Sequence, residues 1–208
     1  MGPRILLKDV AYKKIIEMIL QGDYFTDNHT SENQLVELLQ MSRTPIREAL
    51  QRLQHDGIVK IIPNQGIAIQ ELSLKELNNM FDMRLAIETF SLRQIFRSIT
   101  DQQIHYLERN VEQQREGFLK DQDFVKFLML DGEFHEHLIK INDNKLFIDT
   151  MSYIRTRFFF DISRQKYPET TQKRIEEHAR IVEAIKARDE ELAIKELKTH
   201  LINAKANI

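Results

Sequence analysis

Ser42-Arg43-Thr44-Pro45-Ile46-Arg47-Glu48-Ala49-Leu50 is the stretch that decides how the rest of this chain is read. A helix turns about 100° per residue, so over 44–56 Ile46, Ala49, Leu50 and Leu53 gather on one apolar face. Arg43, Arg47, Gln51 and Gln54 fall on the adjacent stripe. Ser42 stands at the N-cap position, Thr44 lies in the first turn, and Gly57 is placed to cap the C-terminus. An arginine fork can bind guanine O6 and N7 together, and hydroxyls and helix N-terminal amides suit phosphate oxygens. Alone, such a stripe reads first as a solvated helix face.

The neighbouring sequence shifts the balance. Upstream, Ala11, Ile15 and Ile19 are spaced by four within 10–20, and Leu35, Leu38 and Leu39 punctuate 32–39, so two further helices precede a tight turn at Met41-Ser42. Downstream, Ile58-Val59-Lys60-Ile61-Ile62 and Ile67-Ala68-Ile69 flank Pro63-Asn64-Gln65-Gly66, two β-branched runs around turn residues. Helix, tight turn, basic helix and hairpin is the order of a winged helix-turn-helix.

Arg43 through Leu50, followed by Leu53, Gly57-Ile58-Val59 and Gly66, resembles the DNA-binding domain of the GntR family over residues 9 to 70. The resemblance implies that Arg43, Thr44 and Arg47 contact DNA and that Gly66, at the wing tip, approaches the minor groove. It also implies a homodimer reading an inverted-repeat operator in double-stranded DNA. One position departs from the family: where a serine-glutamate-arginine run usually opens the second helix, this chain has Ser31-Glu32-Asn33.

Bulk charge does not announce a nucleic-acid partner, since residues 1–70 carry eight Lys/Arg against eight Asp/Glu. The absence of cysteine excludes disulfides and thiolate metal sites. No apolar run reaches the roughly 18 residues of a membrane span, and no signal-peptide pattern is present, so no membrane association and a cytoplasmic location are expected. From residue 74 on the sequence reads helical, opening on the capping box Ser73-Leu74-Lys75-Glu76 with a long helix to about Ile99. Breaks at Thr100-Asp101, 117–121, Asn142-Asp143, 165–170 and Arg188-Asp189 imply about six helices. The expected fold is therefore mainly α: a winged helix-turn-helix of three helices plus a β-hairpin over 1–72, then an all-α bundle over 73–208.

Within 121–142, Asp131 and His135 sit at i and i+4 inside the stripe Phe124, Phe127, Leu128, Leu138. His178 falls among Ile175, Val182 and Ile185, and His200 beside Ala193, Leu197 and Ala204. An unpaired buried carboxylate costs several kcal/mol, so Asp131 requires a partner. Three imidazoles and a carboxylate aimed at one core suit a divalent metal ion, with Zn, Ni, Fe and Mn not distinguished. His29 (in a loop), His55, His105 and His137 face elsewhere, and Glu133 and Glu136 point away from the stripe.

Asp131-Gly132-Glu133-Phe134-His135 followed by His178 and His200 resembles the metal-binding pattern of the FadR-type effector domain, FCD, over roughly 74–205. That resemblance implies Asp131, His135, His178 and His200 as ligands in a metal-containing effector-binding and dimerisation domain. A divalent ion held this way keeps a formal charge of about +1, which favours a small carboxylate effector. Arg84, one turn before Glu88 on the first helix of this region, can clamp that carboxylate or simply pair with Glu88. The expected function is an effector-responsive transcription regulator, a repressor and not an enzyme. A metal-responsive regulator and a metal-dependent hydrolase or lyase are the alternatives.

Overall fold

Helix α3 (Arg43–His55) buries the face anticipated for it, Ile46, Ala49, Leu50 and Leu53, together with Pro45. It ends in a Schellman motif: Ile58 N–H donates to Leu53 O (2.9 Å), Gly57 N–H donates to Gln54 O (3.0 Å), and Gly57 takes φ +71°. Packed on α3 are α1 (Leu7–Gln21), through Ala11, Ile15, Met18 and Ile19, and α2 (Glu32–Leu39), through Leu35. A capping box at Ser31 and Gln34 fixes the start of α2.

The hairpin is present as β2 (Val59–Ile62) and β3 (Gly66–Ile69), paired antiparallel from Val59 opposite Ile69 to Ile62 opposite Gly66. A third strand was not anticipated. β1 (His29–Thr30) pairs antiparallel with β3, giving the order β1-β3-β2 and placing His29 opposite Ala68 rather than in a loop. Two residues are too short to show the alternation that marks a strand.

The second unit holds six helices among its described residues: α4 (Leu74–Ile95), α5 (Asp101–Glu116), α6 (Phe124–Ile141), α7 (Lys145–Ser163), α8 (Thr171–Lys186) and α9 (Glu190–Ala206). Capping boxes at Ser73 with Glu76 and at Thr100 with Gln103 open α4 and α5. α4 stops at Ile95 rather than Ile99, and the next three residues form turns before Thr100 caps the following helix. Leu92, Leu107, Phe127, Phe134, Leu138, Ile181 and Leu197 lie in one apolar core drawn from α4, α5, α6, α8 and α9. A smaller cluster joins Phe81, Ile139, Ile154 and Phe158.

The structure, a computed structural model, describes residues 6–21, 28–118, 124–163 and 170–206. The chain divides into two compact units, Met1–Glu71 and Leu72–Ile208. The expected breaks at 117–121 and 165–170 fall largely outside the described residues.

Candidate metal centre, ligand cavity and recognition face

Asp131 and His135 project from α6, His178 from α8 and His200 from α9, all four buried, and one ligand atom from each lies within 4.8 Å of the others. The three Nε2 atoms form a nearly equilateral triangle, with His135–His178 at 3.3 Å, His178–His200 at 3.2 Å and His135–His200 at 3.2 Å. Asp131 Oδ1 is 3.7 Å from His178 Nε2. The sequence reading thus named four side chains that the fold brings together.

Proton placement shows whether this set fits a cation. His135 Nδ1 donates to Glu88 Oε2 (2.6 Å) and His200 Nδ1 donates to Glu177 Oε2 (2.9 Å), because an ionised carboxylate can only accept. His178 Nδ1 donates to Gln114 Oε1 (2.8 Å). That amide is oriented by its own Nε2 donating to Asn110 Oδ1 (2.7 Å), and Asn110 Nδ2 donates in turn to Leu130 O (3.0 Å). Every Nδ1 therefore holds the proton, and every Nε2 presents a lone pair to the same point. Three converging lone pairs repel unless a cation lies between them. Corners of a triangle with 3.2–3.3 Å edges lie about 1.9 Å from its centre, just inside the ~2.0–2.1 Å of an imidazole–metal bond. The residues fit a divalent ion.

Electrostatics agree. Burial pushes His178 well below its ordinary value, reinforced by His200 and His135, and burial brings His200 down to about 4, so both rings stay neutral. Burial opposes ionisation of Glu88, yet Arg84 and His135 overcome it and hold the carboxyl at about 2. Asp131 is likewise held below its ordinary value against the effect of burial, chiefly by Arg174, whose Nη2 donates to Asp131 Oδ1 (2.8 Å).

Beside this centre is a cavity whose lining includes Asp131, His135, Arg84, Arg174, Arg155 and Glu136. Arg84 makes the expected pair with Glu88, its Nε donating to Glu88 Oε1 (2.7 Å), and it also lines the cavity. Glu136 was expected to point away but lines the cavity, because Arg155 Nη1 reaches across from α7 to bind it (2.6 Å). The sequence reading missed Gln114, Glu177, Arg174 and Arg155. For three of these a signal existed: Gln114 is a polar residue three after Val111 on an apolar stripe, Arg174 is one turn before His178, and Glu177 adjoins it. His137 stands apart from the centre, half-buried and stacked on Tyr106 with ring centroids 4.1 Å apart.

In the first unit Arg43, Thr44, Arg47 and Gln51 are exposed along one side of α3. Arg47 Nε donates to Glu32 Oε2 (2.8 Å) and Arg43 Nη2 donates to Asn33 Oδ1 (3.3 Å), so the first turn of α2 holds both guanidiniums. Ser42 occupies the N-cap position, but its hydroxyl makes no capping hydrogen bond. Gln54 differs from the rest of the stripe: its Oε1 accepts from Ile61 N–H (2.9 Å), which ties the hairpin to α3. Gly66 opens β3 with φ +106°, and a Cβ there would lie 2.6 Å from Thr30 O.

Comparison with known proteins places both units. Residues 79–203 match the FCD domain family and residues 7–69 match the bacterial regulatory proteins of the gntR family. The HTH-type transcriptional repressor RspR of Escherichia coli K12 is 29% identical over 175 residues, 82% of this chain and 75% of that protein. A gluconate operon transcriptional repressor of Bacillus licheniformis is 28% identical over 186 residues, 86% of this chain and 75% of its own length. Among solved structures, E. coli McbR/YncC superposes with a TM-score of 0.78 at 18% identity, covering 97% of this chain and 96% of that one. A GntR regulator from Rhodococcus sp. RHA1 gives the same TM-score at 20% identity, covering 96% of each chain.

Proposed function

This chain belongs to the GntR family of bacterial regulatory proteins and carries an FCD domain, and from that premise we propose that it is a homodimeric, cytoplasmic repressor released or engaged by a small carboxylate bound at a metal centre. It is a DNA-binding transcription regulator and not an enzyme. Among the described residues no helix is long and apolar enough to cross a membrane.

The observation that carries the sensing half is the proton arrangement: three Nε2 lone pairs at 3.2–3.3 Å, with each Nδ1 committed to an acceptor. Asp131, His135, His178 and His200 would hold the ion, which when bound supplies a positive centre for an anion in the adjoining cavity. Arg84 is fixed by Glu88 and so presents its remaining N–H groups without a large ordering cost. Glu88 also holds His135, so one side chain of α4 bridges the cavity arginine and a ligand histidine. α4 follows β3 after four residues, 70–73, which gives a short covalent route by which ligand occupancy can bias the DNA-reading unit.

For that unit the proposal assigns Arg43 and Arg47 to base edges, Thr44 and the open N-terminus of α3 to phosphate, and Gly66 to the wing. Domain roles follow the same division, DNA binding over 1–72 and effector binding with dimerisation over 73–208.

The test is elemental analysis and native mass of the purified protein, followed by operator titration with and without a carboxylate. A divalent ion in the wild type that is absent from His178→Ala supports the centre. Linkage requires the effector to bind free and operator-bound protein unequally. Equal affinity refutes the regulatory mechanism.

A further inference from the structure

Resting on the carboxylate reading above, we infer that the ligand of this cavity is a dicarboxylate with an apolar spacer, its second carboxylate taken by Arg155. The two ends of the cavity differ in exposure. Side-chain exposure is 7% for Arg84, 9% for Asp131 and 14% for Arg174, but 19% for Glu136 and 41% for Arg155. The inner end adjoins the metal centre and the outer end opens toward solvent.

The inner end holds a surplus of positive charge, and at the outer end the carboxylate that pairs with Arg155 is divided between two cations. With a divalent ion in place, the inner end sets that ion, Arg84 and Arg174 against Asp131, Glu88 and Glu177, leaving one positive charge over. At the outer end Glu136 is shared: Oε2 binds Arg155 Nη1 at 2.6 Å and Oε1 binds Lys140 Nζ at 2.9 Å, two cations on one carboxylate. A monocarboxylate answers the inner surplus and leaves Arg155 with only its shared carboxylate.

Arg155 is also positioned at some cost to local structure. Glycine within a helix costs about 1 kcal/mol relative to alanine, yet Gly132 sits on α6 between the ligand residues Asp131 and His135. A Cβ at this position would lie 2.7 Å from Arg155 Cδ and 3.1 Å from its Cγ. The missing side chain lets the aliphatic stem of Arg155 cross α6 and bring its guanidinium to the cavity. At the inner end Arg174 Nε is buried with no hydrogen-bond partner, a donor that awaits an acceptor.

The apolar part of the lining defines the spacer. Phe81, Met151, Ile154 and Phe158 contribute apolar surface. Thr170 is the only neutral polar side chain among the described residues of the lining, apart from the ligand His135. Among the described residues of the lining, a sugar acid's hydroxyls would have to compete with the carboxylates for the same charged side chains while its chain lay against apolar surface. A methylene chain or an aromatic ring meets no such penalty.

The experiment is calorimetric titration of metal-loaded, full-length protein with succinate, glutarate and adipate, each paired with the monocarboxylate of equal carbon count, and with gluconate. At least one dicarboxylate should bind about tenfold or more tighter than its monocarboxylate partner, and gluconate should bind more weakly than either. Arg155→Gln should erase the preference by lowering dicarboxylate affinity more than monocarboxylate affinity, with far-ultraviolet circular dichroism as the check on fold. Glu136→Gln, which frees Arg155, should widen the preference. Equal binding of the two acid classes, or an equal loss of both in Arg155→Gln, overturns this inference alone. Binding of no acid overturns the carboxylate reading and this inference with it.

Discussion

Glu177→Gln removes a single charge, leaves the shape nearly unchanged, and tests the proton arrangement at the metal centre. Glu177 is buried and accepts from two donors, His200 Nδ1 at Oε2 (2.9 Å) and Asn203 Nδ2 at Oε1 (2.6 Å). An amide has one acceptor and one donor end, so glutamine can satisfy only one of them. If its NH2 faces His200, the imidazole must accept at Nδ1 and carry its proton on Nε2, inside the triangle of lone pairs. If its oxygen faces His200, two NH2 groups oppose each other across the 2.6 Å now spanned by Glu177 and Asn203. In either orientation His200 loses the anionic partner that makes its Nε2 a better donor to metal. Loss of such a partner costs about 10–100-fold in metal affinity, or about 1.4–2.7 kcal/mol. Competition between the protein and a chromogenic chelator reads this directly, with far-ultraviolet circular dichroism as the check on fold. Wild-type metal affinity in Glu177→Gln would refute the assignment of the Nδ1 protons and, with it, the argument that the triangle needs a cation.

Other perturbations probe other parts of the chain. Arg43→Ala and Arg47→Ala should each weaken operator binding by about 1–3 kcal/mol and relax base preference, measured by fluorescence anisotropy on cognate and scrambled duplexes. Undiminished binding by both would dislodge α3 as the reading helix. Gly66→Ala places a Cβ 2.6 Å from Thr30 O at φ +106°, so the first unit should lose about 1–3 kcal/mol, visible as an earlier melting step while the second unit keeps its own. In metal-free protein, His200 titrates near 4 when folded against 6.5 ordinarily. Below 6.5 the unfolded chain therefore binds the extra proton, so stability should be full above that pH and fall progressively toward pH 4. Thermal melts across that range check the sign, and a rise in stability on acidification would contradict the neutral, buried ring.

Recognition of the winged unit from sequence rested on strong local signals: the three- and four-residue spacing of Ile46, Ala49, Leu50 and Leu53, the glycine ending α3, and β-branched runs around a turn. The four inward-facing residues of the candidate centre were equally legible, because a polar side chain inside an apolar helical stripe has to face the core. What periodicity could not supply was pairing between elements distant in the chain. β1 is two residues long and exists only because β3 offers it an edge. Arg155 and Glu136 meet through the packing of α7 on α6, 19 residues apart, and nothing in either local pattern marks the contact. Glu136 was misread for that reason: a helical wheel gives direction relative to one core, whereas the cavity is bounded by a second helix.

The buried polar groups around the centre argue for a ligand site over a structural network. A network that only holds helices together should close on itself, since each unmet buried group costs about 1–3 kcal/mol. Here the periphery is closed: His135 to Glu88 to Arg84, His178 to Gln114 to Asn110 to a backbone carbonyl, His200 to Glu177 to Asn203. The gaps lie inward, at three facing Nε2 lone pairs and at Arg174 Nε. One needs a cation and the other an acceptor. That inward incompleteness is what supports the proposal of an ion at the centre and an anion beside it.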